Sequence, residues 1–258
     1  MPRRLFKELE RSYGFDEVAI VPGQVTINPD LTSTKLTIGD LTFDIPVMAS
    51  AMDGAVSPHF ATLMHDMGGL GVLNAEGLYT RYEDPYSVLE EIMSIPQSEI
   101  TEHLQQVYSE PIQEHLVAER VQEIRKTGAT CAVSFTPQNT KRMSPVAVEA
   151  GADMVVVQST VTTARHMSRS YRGLIFSEMV SSLKVPVVVG NCVTYSVAQE
   201  LMETGIDGIL VGVGPGAACT TREVVGVGVP QVTATLECAA AREDYFRRTG
   251  RYVSVITD

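Results

Sequence analysis

Seven short runs in this chain are apolar almost from end to end, at residues 45–50, 69–74, 130–135, 153–158, 185–191, 207–212 and 252–258. A strand with one wet face alternates apolar and polar residues. These runs do not alternate cleanly, so they read as strands covered on both faces, as parallel strands are. Helical patterns separate them. After the first run, Ser57 suits an N-cap and Pro58 the first helical position. Phe60, Leu63, Met64 and Met67 then recur at helical spacing before Gly68. After the fifth run Thr194 offers a cap, Val197 and Leu201 share a face, and Gly205 ends the turn. A longer pattern runs from 232 to 248 and stops at Gly250. Strand–helix alternation means βαβ units and a parallel sheet.

Seven is an awkward number. A β/α barrel closes with eight strands, and seven leave two edges of unpaired backbone groups. The seventh run ends on Asp258, the last residue. The expected fold is therefore α/β, a (β/α)8 TIM barrel truncated after its seventh strand. It is read as a single domain over residues 1–258, with an open doubly wound sheet as the alternative. Two parts fall outside the alternation. Residues 1–44 form an N-terminal extension with a hairpin, 35–37 against 41–43 across Gly39-Asp40. Residues 75–128 exceed one crossover and carry three helical patterns, at about 86–94, 97–108 and 112–126, so they read as a helical insertion.

Lys plus Arg number 20 and Asp plus Glu 31, a net charge of −11. Such a chain repels phosphate backbones, which argues against nucleic-acid binding. One small phosphate ligand can still be held by local backbone N–H groups. No run reaches the roughly 18 apolar residues of a membrane span, and the basic start, Met1 to Lys7, lacks the apolar core of a signal peptide. A cytoplasmic protein is expected. Cys131, Cys192, Cys219 and Cys238 show no C-x-x-C spacing, and the five histidines no zinc-site spacing. Disulfides are not expected in that compartment.

Chemistry concentrates after the sixth run, in the glycine-rich stretch from Val211 to Glu223. Gly212, Gly214 and Gly216 let backbone approach a ligand closely, but Pro215 removes a donor, and neither a P-loop nor a dinucleotide fingerprint is matched. Cys219 closes the loop beside Thr220, Thr221 and Arg222. Free N–H groups and a guanidinium there should lower its pKa and make it a usable nucleophile. The bland alternative is a tight turn with an inert thiol. Ala49-Ser50-Ala51-Met52 ends the first run and could line a flat apolar site. Asn74, Gln158 and Asn191 put amides at strand ends, and Asp258 a carboxylate.

The chain resembles the IMP dehydrogenase / GMP reductase family, in particular its shorter bacterial branch. The resemblance runs from Gly14 to Asp258. It is carried by Phe15-Asp16-Glu17-Val18 with Val21-Pro22, Ala49-Ser50-Ala51-Met52-Asp53, Gly68-Gly69-Leu70-Gly71, Val189-Gly190-Asn191 with Val193-Thr194, and Gly212 to Arg222 followed by Gly226-Val227-Gly228-Val229-Pro230-Gln231. The stretch from Glu76 to Pro85 points to the shorter branch. The resemblance implies a β/α barrel acting at C2 of a purine nucleotide, GMP or IMP, with NADP or NAD.

By the same resemblance Cys219 is the nucleophile, and Thr221 sits beside the group that arrives at or leaves C2. Ser50, Met52, Gly216 and Ala217 surround the nucleotide, and Asp258 binds its ribose hydroxyls. Gln158, Ser159 and Thr160, with Asn191 at the next strand end, form the cofactor side. Gly214, Gly216 and the Cys219 carbonyl match a loop that holds a monovalent cation such as potassium. Ala217 stands where many members carry a phosphate-binding serine, and Gln158 where they carry aspartate. No regulatory domain pair fits within residues 75–128. The last two departures favour the reductive direction, GMP plus NADPH to IMP plus ammonia. IMP dehydrogenase is the alternative, and a non-catalytic nucleotide-binding remnant a third reading. The resemblance also implies a homo-oligomer, a tetramer or octamer. It places the eighth strand and a mobile flap beyond Asp258, so the 258 residues alone are expected to be inactive.

Overall fold

The computed structural model describes residues 10–165 and 173–258. The basic start and His166 lie outside the described residues. The hairpin forms as expected, β1 (Leu36–Ile38) against β2 (Leu41–Phe43), turning at Gly39 with φ 60°. All seven apolar runs contain strands: β3 (Met48–Ala49), β4 (Leu70–Asn74), β5 (Ala132–Phe135), β6 (Met154–Gln158), β7 (Val187–Cys192), β8 (Gly208–Val211) and β9 (Ser254–Thr257). They form one sheet in sequence order, every neighbouring pair parallel. A doubly wound sheet reverses its strand order at a switch point. This one does not. It curls instead: Ser50, just past β3, donates to the Asp258 carboxylate, just past β9, at 3.2 Å. The outermost strands thus approach at their C-terminal ends, as in a β/α barrel.

Period-two alternation divides the apolar side chains between two cores. Val155, Val157, Val187, Val189, Ile209 and Val211 face outward into the layer shared with the helices. Met154, Val156, Val188 and Leu210 face inward, where Ile38 and Phe43 of the hairpin join them. Ser254 Oγ ties that hairpin to β9 through the Thr37 carbonyl at 2.9 Å. Each of the larger apolar side chains contributes about 1.5–3 kcal/mol on full burial.

Nine helices lie among the described residues. α1 (Pro58–Asp66) starts where expected, with Ser57 Oγ accepting the Phe60 N–H at 3.0 Å. Its packing face differs from the expected one. Phe60, Leu63 and Met67 are exposed, whereas Pro58 and Ala61 are buried. The reason is close backbone packing. A β-carbon on Gly71 of β4 would lie 2.7 Å from Ala61 Cα, so the helix meets the strand along its small-residue side. The insertion holds α2 (Pro85–Ser94), α3 (Ile100–Val107) and α4 (Glu114–Lys126), close to the three patterns read from sequence. α5 (Pro137–Glu149) and α6 (Phe176–Ser182) had no specific sequence reading. Pro145 inside α5 breaks its helical signature, and α6 has only seven residues. α7 (Tyr195–Met202), the four-residue α8 (Thr221–Val224) and α9 (Gln231–Thr249) complete the set.

The Gly71–Ala61 approach is directly testable. Gly71→Ala should force α1 off β4 and cost about 1–3 kcal/mol by overpacking. In urea this appears as a lower midpoint with an unchanged slope.

Candidate active site

The side chains at the C-terminal ends of the strands converge on one carboxylate. Alternation along β6 puts Gln158 on the same inward side as Met154 and Val156. A register shift between Gly190 and Cys192 interrupts the β7–β8 ladder. It lets Cys192 join the outer core while Asn191 reaches inward. The backbone N–H of Asp258 continues the ladder to the Val211 carbonyl at 2.8 Å. Its carboxylate accepts from Ser50 Oγ at 3.2 Å, Gln158 Nε2 at 3.1 Å and Asn191 Nδ2 at 2.6 Å. These charge-assisted bonds fix four strand ends around one point. An aspartate at 158 would set a second carboxylate against Asp258, where the Gln158 amide donates instead.

The loop after β8 is shaped by contact. Gly212 has φ 150°, and a β-carbon there would lie 2.0 Å from the Asp258 carbonyl oxygen. Gln231 Nε2 holds the Val211 carbonyl at 2.6 Å, and Val213 pairs with Val229 across the loop. The Cys219 N–H closes a turn on the Gly216 carbonyl at 3.0 Å. Ala217 and Ala218 ride the exposed tip of that turn.

Cys219 is the one exposed thiol; Cys131, Cys192 and Cys238 are buried. Its Sγ lies 3.2 Å from Thr221 Oγ1. The hydroxyl and then the backbone N–H of Thr221 favour the thiolate and hold the Cys219 pKa below its ordinary value. Arg222 was expected to share in this and does not. Its stem packs against Gly214 and Gly228, where a β-carbon would lie 2.8 and 2.4 Å from Arg222 Cγ. Burial pushes Cys131 up to about 12. The hydrogen bond with Cys192, at 4.0 Å between sulfurs, and burial push Cys238 up as well.

A cavity of about 500 Å3 opens over this thiol. Ser50 and Met52 line it from the β3 end, Gln158, Ser159 and Thr160 from the β6 end, and Asn191 from β7. Gly214, Gly216, Cys219 and Thr221 line it from the loop, with Asp258 from β9. Of the residues the family resemblance assigns to the site, Ala217 alone is not in the lining, because the 216–219 turn carries it outward; the strand-end amide of Asn74 also lies outside it and accepts the Glu76 N–H at 3.1 Å. Ala51, Gly212 and Pro215 of the same two stretches line the cavity too, as does Val213, which has no individual reading from sequence. Gln231 was missed as the support beneath β8. Its only signal was its place at the end of the Gly226-to-Gln231 stretch.

Residues 12–258 match the family model of the IMP dehydrogenase / GMP reductase domain. The chain belongs to this family. It is 38% identical over 255 residues to an uncharacterized oxidoreductase of Mycolicibacterium smegmatis, covering 96% of this chain and 68% of that protein. It is 29% identical to the inosine-5'-monophosphate dehydrogenase of Cryptosporidium parvum, covering 93% of this chain and 60% of that one. An IMP dehydrogenase/GMP reductase-like protein from Corynebacterium glutamicum superposes with a TM-score of 0.90 at 34% identity, over 100% of this chain and 69% of that one. The chain is therefore a member of an oxidoreductase family whose fold it shares. No helix among the described residues is long and apolar enough to cross a membrane.

The family's nicotinamide cofactor fits the space beside the thiol. Ser159 lines both the main cavity and an adjoining hollow of about 140 Å3 that continues past Pro137, Thr162 and Phe176. The β6 loop forming the boundary is stitched to β7: Ser159 N–H reaches the Gly190 carbonyl at 2.9 Å, and Thr162 Oγ1 the same oxygen at 2.6 Å. A monovalent cation fits less well. The Gly216 carbonyl already accepts the Cys219 N–H, and the Arg222 stem packs against Gly214. No step below runs through a cation.

The site predicts a distinctive thiol profile. Alkylation of folded protein should label Cys219 first, at a rate that persists below the pH where an ordinary thiol has protonated. Thr221→Val should move that profile to higher pH. Peptide mapping across pH measures both; first labelling of Cys131 or Cys238 contradicts the assignment.

Proposed function

We propose that the chain is the catalytic part of a purine-nucleotide oxidoreductase that works by covalent catalysis at C2, in the reductive direction from GMP to IMP. One observation carries the reading: an exposed, thiolate-favouring Cys219 shares a cavity with the Asp258 carboxylate, which is held in place by neutral donors. In this reading Asp258 accepts the ribose hydroxyls, with Ser50 and Met52 bordering the base. Gly216 and Ala217 lie on the phosphate side, Ala217 contributing backbone alone.

Cys219 Sγ bonds to C2 of GMP, the C2–N bond breaks, and the amine leaves with the thiol proton as ammonia. The thioimidate that remains is held on the protein. When bound, the reduced nicotinamide supplies hydride to C2. Gln158, Ser159, Thr160 and Asn191 border the space that would hold that ring, and hydride transfer needs it within about 3–3.5 Å of C2. Sulfur then departs with the C–S electron pair and recovers a proton, leaving IMP. Thr221 beside the sulfur stabilises it as a leaving thiolate.

Gln158 supports this direction. It serves Asp258 as a neutral donor, so position 158 itself offers no carboxylate to act as a base on the cofactor side. The opposite direction, IMP to XMP with NAD, is favoured by the dehydrogenase name of the Cryptosporidium relative. A homo-oligomer belongs to the same proposal.

The test uses the chain extended to the length of its relatives. Nicotinamide absorbance should fall with GMP and NADPH and rise little with IMP and NAD. Cys219→Ala should remove turnover while GMP still binds. XMP formation without GMP reduction would reverse the direction, and full turnover by Cys219→Ala would end the covalent reading.

A further inference from the structure

Asp53 follows Met52 directly but does not line the cavity. Its carboxylate is engaged with the helical insertion. Oδ2 accepts the Leu78 N–H at 3.0 Å and the Tyr108 hydroxyl at 2.5 Å. Oδ1 is buried and has no partner. It presses so closely on Gly77 that a β-carbon there would lie 1.8 Å away. Glycine is required at 77 for this approach, not for its backbone angles, since its φ is −92°. Tyr108 closes α3, and the Arg81 guanidinium covers its ring at 5.8 Å. Arg81 Nε in turn holds the Glu76 carbonyl at 2.8 Å.

The other side of Asp53 is equally ordered. The Met52 N–H donates to the Ser50 carbonyl at 2.8 Å, and the Met52 carbonyl accepts the N–H groups of Ala55 and Val56, each at 2.9 Å. The turn that presents Ser50 and Met52 to the cavity is thus one hydrogen-bonded unit, with Asp53 as its attachment. A carboxylate with one buried, orphaned oxygen is costly to keep. What it supplies is a fixed join between two segments distant in sequence.

We propose that Asp53 is a positioning residue: with Tyr108 and the Leu78 N–H it latches the Ser50–Met52 turn to the insertion, so that α3 sets the affinity of the cavity for its purine nucleotide. The affinity clause rests on the function proposed above; the latch does not.

The test compares the full chain with Tyr108→Phe, Asp53→Asn, their combination and Gly77→Ala. Tyr108→Phe keeps the ring and removes one hydrogen bond, so it preserves the fold. Hydrogen exchange should quicken across residues 50–56 and stay unchanged in α7 and α9. GMP binding by calorimetry should weaken about tenfold, the scale of one hydrogen bond to a charge. The double variant should be no weaker than the weaker single one, since both break one contact. Gly77→Ala should reproduce the effect without altering either partner. Cys219 alkylation should keep its rate throughout. Unchanged exchange at 50–56 in Tyr108→Phe overturns the latch whatever the binding shows. Faster exchange with unaltered GMP affinity overturns its control of binding. A parent chain that binds no purine nucleotide overturns the functional reading and the affinity clause, while exchange still judges the latch.

Discussion

Four strand ends meet at Asp258. Parallel strands present their carboxyl ends to one side, and curling brings those ends within hydrogen-bonding reach. A carboxylate in that ring needs donors, and Ser50, Gln158 and Asn191 supply them from three other strands. The same three residues border the cavity over Cys219. The interaction that joins the curled strand ends therefore also ties together the walls of the site. Any group replacing Gln158 must remain a donor or leave the ring.

Selection among the four thiols follows from the same geometry. Cys131, Cys192 and Cys238 point into the outer core, where low polarity disfavours a thiolate. Cys219 escapes because the loop after β8 leaves the sheet. Gly212 must hug the end of β9, and no side chain fits there. The loop thus departs close to Asp258 and returns to place sulfur beside Thr221. Nucleophile and carboxylate are near one another because a glycine lets two strand ends touch.

Legibility in the sequence followed burial. The seven strands were readable because two-sided coverage leaves an unbroken run of Val, Ile and Leu, as at Val155-Val156-Val157. The hairpin and the three insertion helices were readable from turn residues and helical spacing. The buried face of α1 was not. Its apolar residues at helical spacing, Phe60, Leu63 and Met67, propose one face, while Gly71 on the adjacent strand β4 selects Ala61 instead. That is a tertiary contact between two small residues, and small residues carry little signal. At the site, Cys219, Thr221 and the strand-end amides were legible as residue types in a suggestive place. Their convergence was not, because it depends on the curl and on the β7 register shift. Arg222 was misread for a related reason: proximity in sequence placed a charge beside the thiol, and packing against Gly214 and Gly228 directed its stem elsewhere.

The least legible contacts are also those that join separate parts of the chain. Asp53 stands in a motif shared with the site, yet its partners are a backbone N–H at 78 and a hydroxyl at 108. Neither has a pattern that sequence alone can pair with it. Gly77 shows the same thing from the other side: it reads as an ordinary loop glycine until the carboxylate pressed against it is seen. The strands supply a scaffold that tolerates little change, since both faces are packed. The insertion is bound to that scaffold by apolar packing, with Val117, Val121 and Ile124 of α4 in the outer core, and by polar contacts of this kind. The polar contacts of Asp53 are the ones that reach the turn after β3, so they tie the insertion to the edge of the cavity as well as to the core.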